Sequence, residues 1–100
     1  MVNQLVLEAS VIEREAVRYT PAGIPIVNCL LQHGSRVSEA GVPRLVDLTL
    51  SAVGVGELSG TLAACALGQA FRFTGFLAPR RRQARTLIFH ITELQDIQRI

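Results

Sequence analysis

Between Phe71 and Ile91 the chain reads FRFTGFLAPRRRQARTLIFHI: two apolar, aromatic-bearing runs separated by a six-residue link holding four arginines. In the first run Phe71, Phe73 and Leu77 alternate with Arg72 and Thr74. In the second, Leu87, Phe89 and Ile91 alternate with Ile88, His90 and Thr92. A period of two is that of a half-buried strand, not of a helix. Pro79 closes the first run, and Arg80, Arg81, Arg82 and Arg85 fill the link. The stretch therefore predicts a β-hairpin with a cationic tip, Phe71, Phe73 and Phe89 facing a core.

The net charge of +2 conceals how that charge is distributed. Residues 80–85 carry four arginines and no acid, so the other 94 residues sum to −2. All ten basic residues are arginines. Arginine suits phosphate forks and stacking on bases, but a GC-rich genome produces the same bias, so nothing is built on the absence of lysine.

One hundred residues, 49% of them hydrophobic, with a mean hydropathy of +0.34, make one domain with a real core, of a size that often buries further surface in a dimer. No apolar run is long enough to span a bilayer and no secretory pattern opens the chain, so a soluble cytoplasmic protein is expected. Cys29 and Cys65 sit in apolar surroundings without a CxxC or a His/Cys cluster, which reads as two reduced core thiols. His33 and His90 have no carboxylate pair, serine or cysteine placed to complete a catalytic site, and Asp47 has no second acid at ligand spacing. No catalytic residue, metal or cofactor is predicted, and the chain is not expected to be an enzyme.

Taken in order, residues 4–12 alternate as a first strand and Tyr19–Gly23 supplies Pro and Gly for a turn. Residues 26–33 form a second strand with Val27, Cys29 and Leu31 on one face and Asn28 and Gln32 on the other. Residues 34–43, with two glycines, two serines and a proline, read as a loop. Val46, Leu48 and Leu50 mark the inner face of a third strand over 44–53. Leu58, Leu62, Ala63, Ala66 and Leu67 recur at helical spacing, predicting a short helix over 58–67 that Gly60 weakens. A fourth strand opens at Gln69, a fifth spans 86–94, and the polar end, 95–100, is expected to fray. Three strands, a short helix and two more strands is the layout of the OB-fold, a five-stranded Greek-key barrel that binds oligonucleotides or oligosaccharides. The fold class predicted is thus all-β with one short helix, and the arginine tip weighs toward nucleic acid.

Several pieces also resemble one family. Asn3–Leu7, Thr20–Pro25, Leu31–Ser35, Glu39–Gly41, Gly75–Phe76 and His90 are similar to the bacterial primosomal replication protein N family, PriB, over nearly the whole chain. The resemblance implies a non-enzymatic, homodimeric OB-fold that binds single-stranded DNA in replication restart, bridging the helicase PriA and the loader DnaT. It places the DNA-contacting element at Pro79–Arg85. The chain departs from the family pattern where Val42 and Asp47 replace stacking aromatics, Gly34 a base after the histidine, and Glu13 a base. These departures throw the burden of DNA affinity onto the arginine tip.

The candidate DNA contacts are therefore Arg80, Arg81, Arg82 and Arg85, then Arg44 and Arg18, with Arg36 near the lost base and Arg72 in reserve. Tyr19 and Phe76 are the candidate stacking rings. Phe76 faces outward if its strand keeps its alternation, whereas a bulge at Gly75 returns it to the core. An alternative function is a protein-interaction adaptor for the restart helicase with weak or vestigial DNA binding.

Overall fold

The computed structural model describes residues 1–97. The strands are β1 (Leu5–Arg14), β2 (Arg18–Tyr19), β3 (Pro25–Glu39), β4 (Val42–Val55), β5 (Ala70–Pro79) and β6 (Leu87–Asp96), with helix α1 (Glu57–Ala64) between β4 and β5. The order across the sheet is β1-β5-β6-β4-β3-β2, and an added β1–β3 pairing closes the five long strands into a barrel. One inter-strand contact, β4 with β6, is parallel. This is the predicted five-stranded OB-fold.

The alternating residues form its interior. Val11, Val27, Leu31, Phe73 and Phe89 are fully buried, and Leu62 of α1 closes one end of the barrel. Gly54 lets the helix approach, because a Cβ there would lie 3.1 Å from the Leu62 side chain. No basic residue stands in the last helical turn. Arg14 of β1 supplies one, donating from Nη1 to the carbonyls of Leu62 (3.2 Å) and Cys65 (2.6 Å), where a cation complements the helix dipole. The helix therefore stops at Ala64 rather than Leu67, whose side chain is exposed.

The predicted loop over 34–43 is instead strand. β3 and β4 pair residue for residue from Ile26–Val55 to Glu39–Val42, and only Ala40 and Gly41, both at positive φ, turn the chain. Two successive left-handed residues make the tight turn that suits strand twist. Composition misled because Pro43 sits at the hairpin's end, opposite Ser38, where a missing N–H is tolerated. Since this hairpin runs on past the barrel, Leu48, expected inside, is exposed, and Val46 is half-buried.

Two smaller corrections concern single residues and a terminus. Leu87, expected on the inner face, is exposed, and Ile88 is the buried one. Gln95 and Asp96 belong to β6 rather than a frayed end; residues 98–100 of the predicted fraying segment lie outside the described residues.

Candidate nucleic-acid interface

A groove of about 610 Å³ lies on the outer face of the barrel, between the β5–β6 tip and the β1–β2 connection. Its floor follows from strand alternation and register. Glu13 opposes Leu30, and Leu30 opposes Ser51. Ala52 pairs with Phe89, which brings the preceding residues, Ser51 and Ile88, side by side. A transverse row of Glu13, Leu30, Ser51 and Ile88 therefore crosses four strands. Ile88 is only 8% exposed although it lies outside the central core cluster, and with Leu30 it forms the apolar part of an otherwise polar floor. Arg80 stands on one side of the groove, and Glu15 and Arg18 on the other.

The tip is a tight structure. Arg80 N–H donates to the Thr86 carbonyl at 2.8 Å and Ala84 N–H to the Arg81 carbonyl at 2.9 Å, with Gln83 at φ 63 completing the turn. Arg80, Arg81, Arg82 and Arg85 are all exposed. Among the described residues none of the four forms an ion pair. Such a cluster sets up a field that attracts a polyanion.

The structure sorts the other predicted residues. Arg18 joins Arg80 in the groove; with the Asn28 carboxamide oxygen turned toward it, that oxygen accepts from Nε and Nη2, 3.2 Å each. Tyr19, beside it on β2, is 67% exposed. Arg36 opposes Leu45 and Arg44 opposes Val37, so alternation places Arg36 and Arg44 on opposite faces of the β3–β4 hairpin. Arg36 shares the outer face with the groove floor. Arg44 does not, and Glu39 pairs with it at 2.7 Å. Arg72 is likewise paired, with Glu8 at 2.6 Å.

Phe76 faces outward. The register shift beside Gly75 places the extra residue, Thr92, in β6 rather than β5, and a Cβ on Gly75 would lie 1.8 Å from the His90 carbonyl oxygen. Phe76 is 38% exposed and stacks on His90, centroids 4.8 Å apart with 7° between planes. Both rings line a cup of about 440 Å³ with Val53, Val55 and Leu58. Val53 opposes Asn28 of the groove, so cup and groove adjoin.

Sequence reasoning missed Glu13, Leu30, Ser51 and Ile88 as groove residues. The signal available was the outer-face set of the second strand, to which Asn28 and Gln32 belong. Burial pushes the Cys29 thiol up to about 12, with Cys65 adding to the rise and Arg14 opposing it. Cys29 is thus a neutral lining atom, not a nucleophile. No group of three or more potential metal ligands occurs among the described residues, and no helix there is long and apolar enough to cross a membrane.

A closed five-stranded barrel, plugged by a helix and overhung by a basic hairpin beside an outer groove, is an OB-fold of the single-strand-binding class. Residues 3–93 match the family described as "Another single-strand binding protein family". Within that class the chain belongs to the replication restart protein PriB family. It is 45% identical over 95 residues to PriB of Bordetella pertussis, covering 95% of this chain and 89% of that one. It is 34% identical to PriB of Neisseria meningitidis serogroup B, covering 94% of each. The solved structure of PriB from Ralstonia solanacearum superposes with a TM-score of 0.89 at 42% identity, covering 98% of this chain and all of that one. An SSB domain from Synechococcus sp., 20% identical with a TM-score of 0.69 over 95% of this chain and 96% of that one, shares the fold.

Proposed function

We propose that this protein binds single-stranded DNA in bacterial replication restart, the phosphate backbone running along Arg80, Arg81, Arg82 and Arg85. The observation that carries this reading is a tip of four exposed arginines, without an ion pair among the described residues, whose Arg80 lines a groove on a PriB-family barrel. Phosphate neutralisation supplies most sequence-independent affinity. Arg18 extends the basic track across the groove, Arg36 along the outer face, and Tyr19 and Phe76 offer exposed rings for stacking. Arg44 contributes least, since Glu39 already holds it. In this reading the protein keeps the helicase PriA on DNA at cytoplasmic forks and helps recruit DnaT. It works as a homodimer, for which the exposed apolar residues Val37, Val42 and Leu48 on one face of the β3–β4 hairpin offer surface.

The test replaces Arg80, Arg81, Arg82 and Arg85 with alanine and titrates labelled oligonucleotide at several salt concentrations. The salt slope is expected to fall by up to about 0.7 per lost phosphate contact; unchanged affinity and slope refute the reading. Sedimentation with and without a long oligonucleotide tests dimerisation.

One observation favours a second reading, an adaptor that docks the helicase and grips DNA weakly. The groove lining contains no aromatic residue and does contain Glu13 and Glu15. Weak oligonucleotide binding together with tight helicase binding in the absence of DNA is the outcome that selects it.

A further inference from the structure

The groove is electrostatically one-sided along its floor. Arg80 and the rest of the tip lie at the Ile88 end of the transverse row, and Glu13 occupies the other end. Three strand spacings separate β6 from β1 along that row, about 14 Å. A nucleotide with its phosphate at the arginines and its base pointing across the floor fills that span together with the two side chains.

Glu13 is exposed and makes no ion pair or hydrogen bond through its side chain among the described residues. The two nearest arginines in sequence are committed elsewhere. Arg14 is turned to the Leu62 and Cys65 carbonyls, and Arg18 to Asn28. Both arginines keep their charge at this end, where Glu13 and Glu15 offset them, whereas the tip holds four arginines and no acid. A bound strand therefore keeps its backbone on the tip side and lays its bases over Leu30 and Ile88.

From these positions we infer that Glu13 reads base edges, making the groove favour guanine over thymine. This rests on the single-strand-binding reading proposed above. A carboxylate only accepts hydrogen bonds. Guanine presents two adjacent donors, N1–H and the N2 amino group, that match its two oxygens. Cytosine and adenine present one amino group beside an acceptor nitrogen. Thymine presents N3–H between two carbonyl oxygens, both of which a carboxylate repels. A two-donor match to an ionised acceptor is the stronger kind of contact, whereas stacking alone tolerates every base.

The experiment titrates the full-length protein and its Glu13→Gln variant with three labelled oligonucleotides: all thymine, thymine with isolated guanines, and the same strand with inosine, which lacks the N2 amino group, in place of guanine. The wild type is expected to bind the guanine strand about tenfold more tightly than the thymine strand, with inosine between them. Glu13→Gln is expected to bring that ratio close to one while tightening binding to thymine, because the repulsion is gone. Equal affinities for the three strands overturn the inference and leave the DNA-binding reading standing. A uniform gain for all three strands in the variant, with the ratio kept, also overturns it, since Glu13 then acts only as a repelling charge. Failure to bind any strand overturns both.

Discussion

The β5–β6 and β3–β4 hairpins both carry arginines near their turns, yet among the described residues the four at the β5–β6 tip form no ion pair, whereas Arg44 beside the β3–β4 turn is held by Glu39. In the β3–β4 hairpin the ladder continues to Glu39–Val42 and the turn is two residues long, which brings Glu39 within 2.7 Å of Arg44. The same ladder turns Arg44 away from the groove side. In the β5–β6 hairpin the ladder ends at Pro79–Leu87, and the link beyond it contains no acid. Among the described residues its four arginines form no ion pair. A basic residue is thus available to a polyanion according to what the sheet register sets beside it, not according to its own identity.

The largest effect that bears on this contrast is on DNA affinity. Alanine at Arg80, Arg81, Arg82 and Arg85 together is expected to weaken oligonucleotide binding on the order of a hundredfold at low salt. Fluorescence anisotropy measures this, and a loss no greater than that of Arg44→Ala would erase the distinction between the hairpins.

Gly75 holds the arginine hairpin to the barrel, its missing side chain replaced by the His90 carbonyl. Gly75→Ala is expected to cost about 3 kcal/mol, read from the midpoint of urea unfolding. No glycine of the β3–β4 hairpin is so tightly enclosed, the nearest atom to a Cβ being 3.1 Å away at Gly54 and 3.9 Å at Gly34, with none within 4 Å at Gly41.

Cys29 is a core residue of β3, opposite Ala52 of β4, and burial raises its thiol from an ordinary 9.0 to about 12. Between those values the unfolded chain ionises while the folded chain stays neutral. The stability this group contributes is complete below pH 9.0 and is lost as pH rises toward about 12. Thermal melts across that window should show a slope that Cys29→Ala removes.

Arg44→Ala gives the smallest expected effect. The Glu39–Arg44 pair is about two-thirds exposed on both sides, so its loss is worth under about 0.5 kcal/mol. DNA affinity should change by less than about twofold, since the residue lies off the groove face. A tenfold loss would show that Glu39 releases Arg44 when DNA arrives.

Much of this was legible in the sequence because its signals are local. Alternation identifies Phe71, Phe73 and Phe89 as core and sets Val27, Cys29 and Leu31 on one face, and all six are buried. The order of strands and helix indicated the barrel, and the arginine tip stood out from charge position alone. The segment 34–43 was misread for a physical reason: glycine, serine and proline disfavour strands in isolation, but long-range pairing with β4 overrides that preference. The helix end was misplaced because its cap, Arg14, lies 51 residues from Cys65 in the chain.

The sequence by itself determined the order of the barrel's strands, most of its core faces and its cationic tip, since periodicity and turn chemistry act between near neighbours. Only the tertiary structure decided which charges stay free and which residues share a surface. Barrel closure brings Glu13, Leu30, Ser51 and Ile88 into one row from four strands, and it sets Glu8 against Arg72. Those neighbours are fixed by register between distant segments, and a register is settled by the packing of the whole barrel rather than by any one stretch of it.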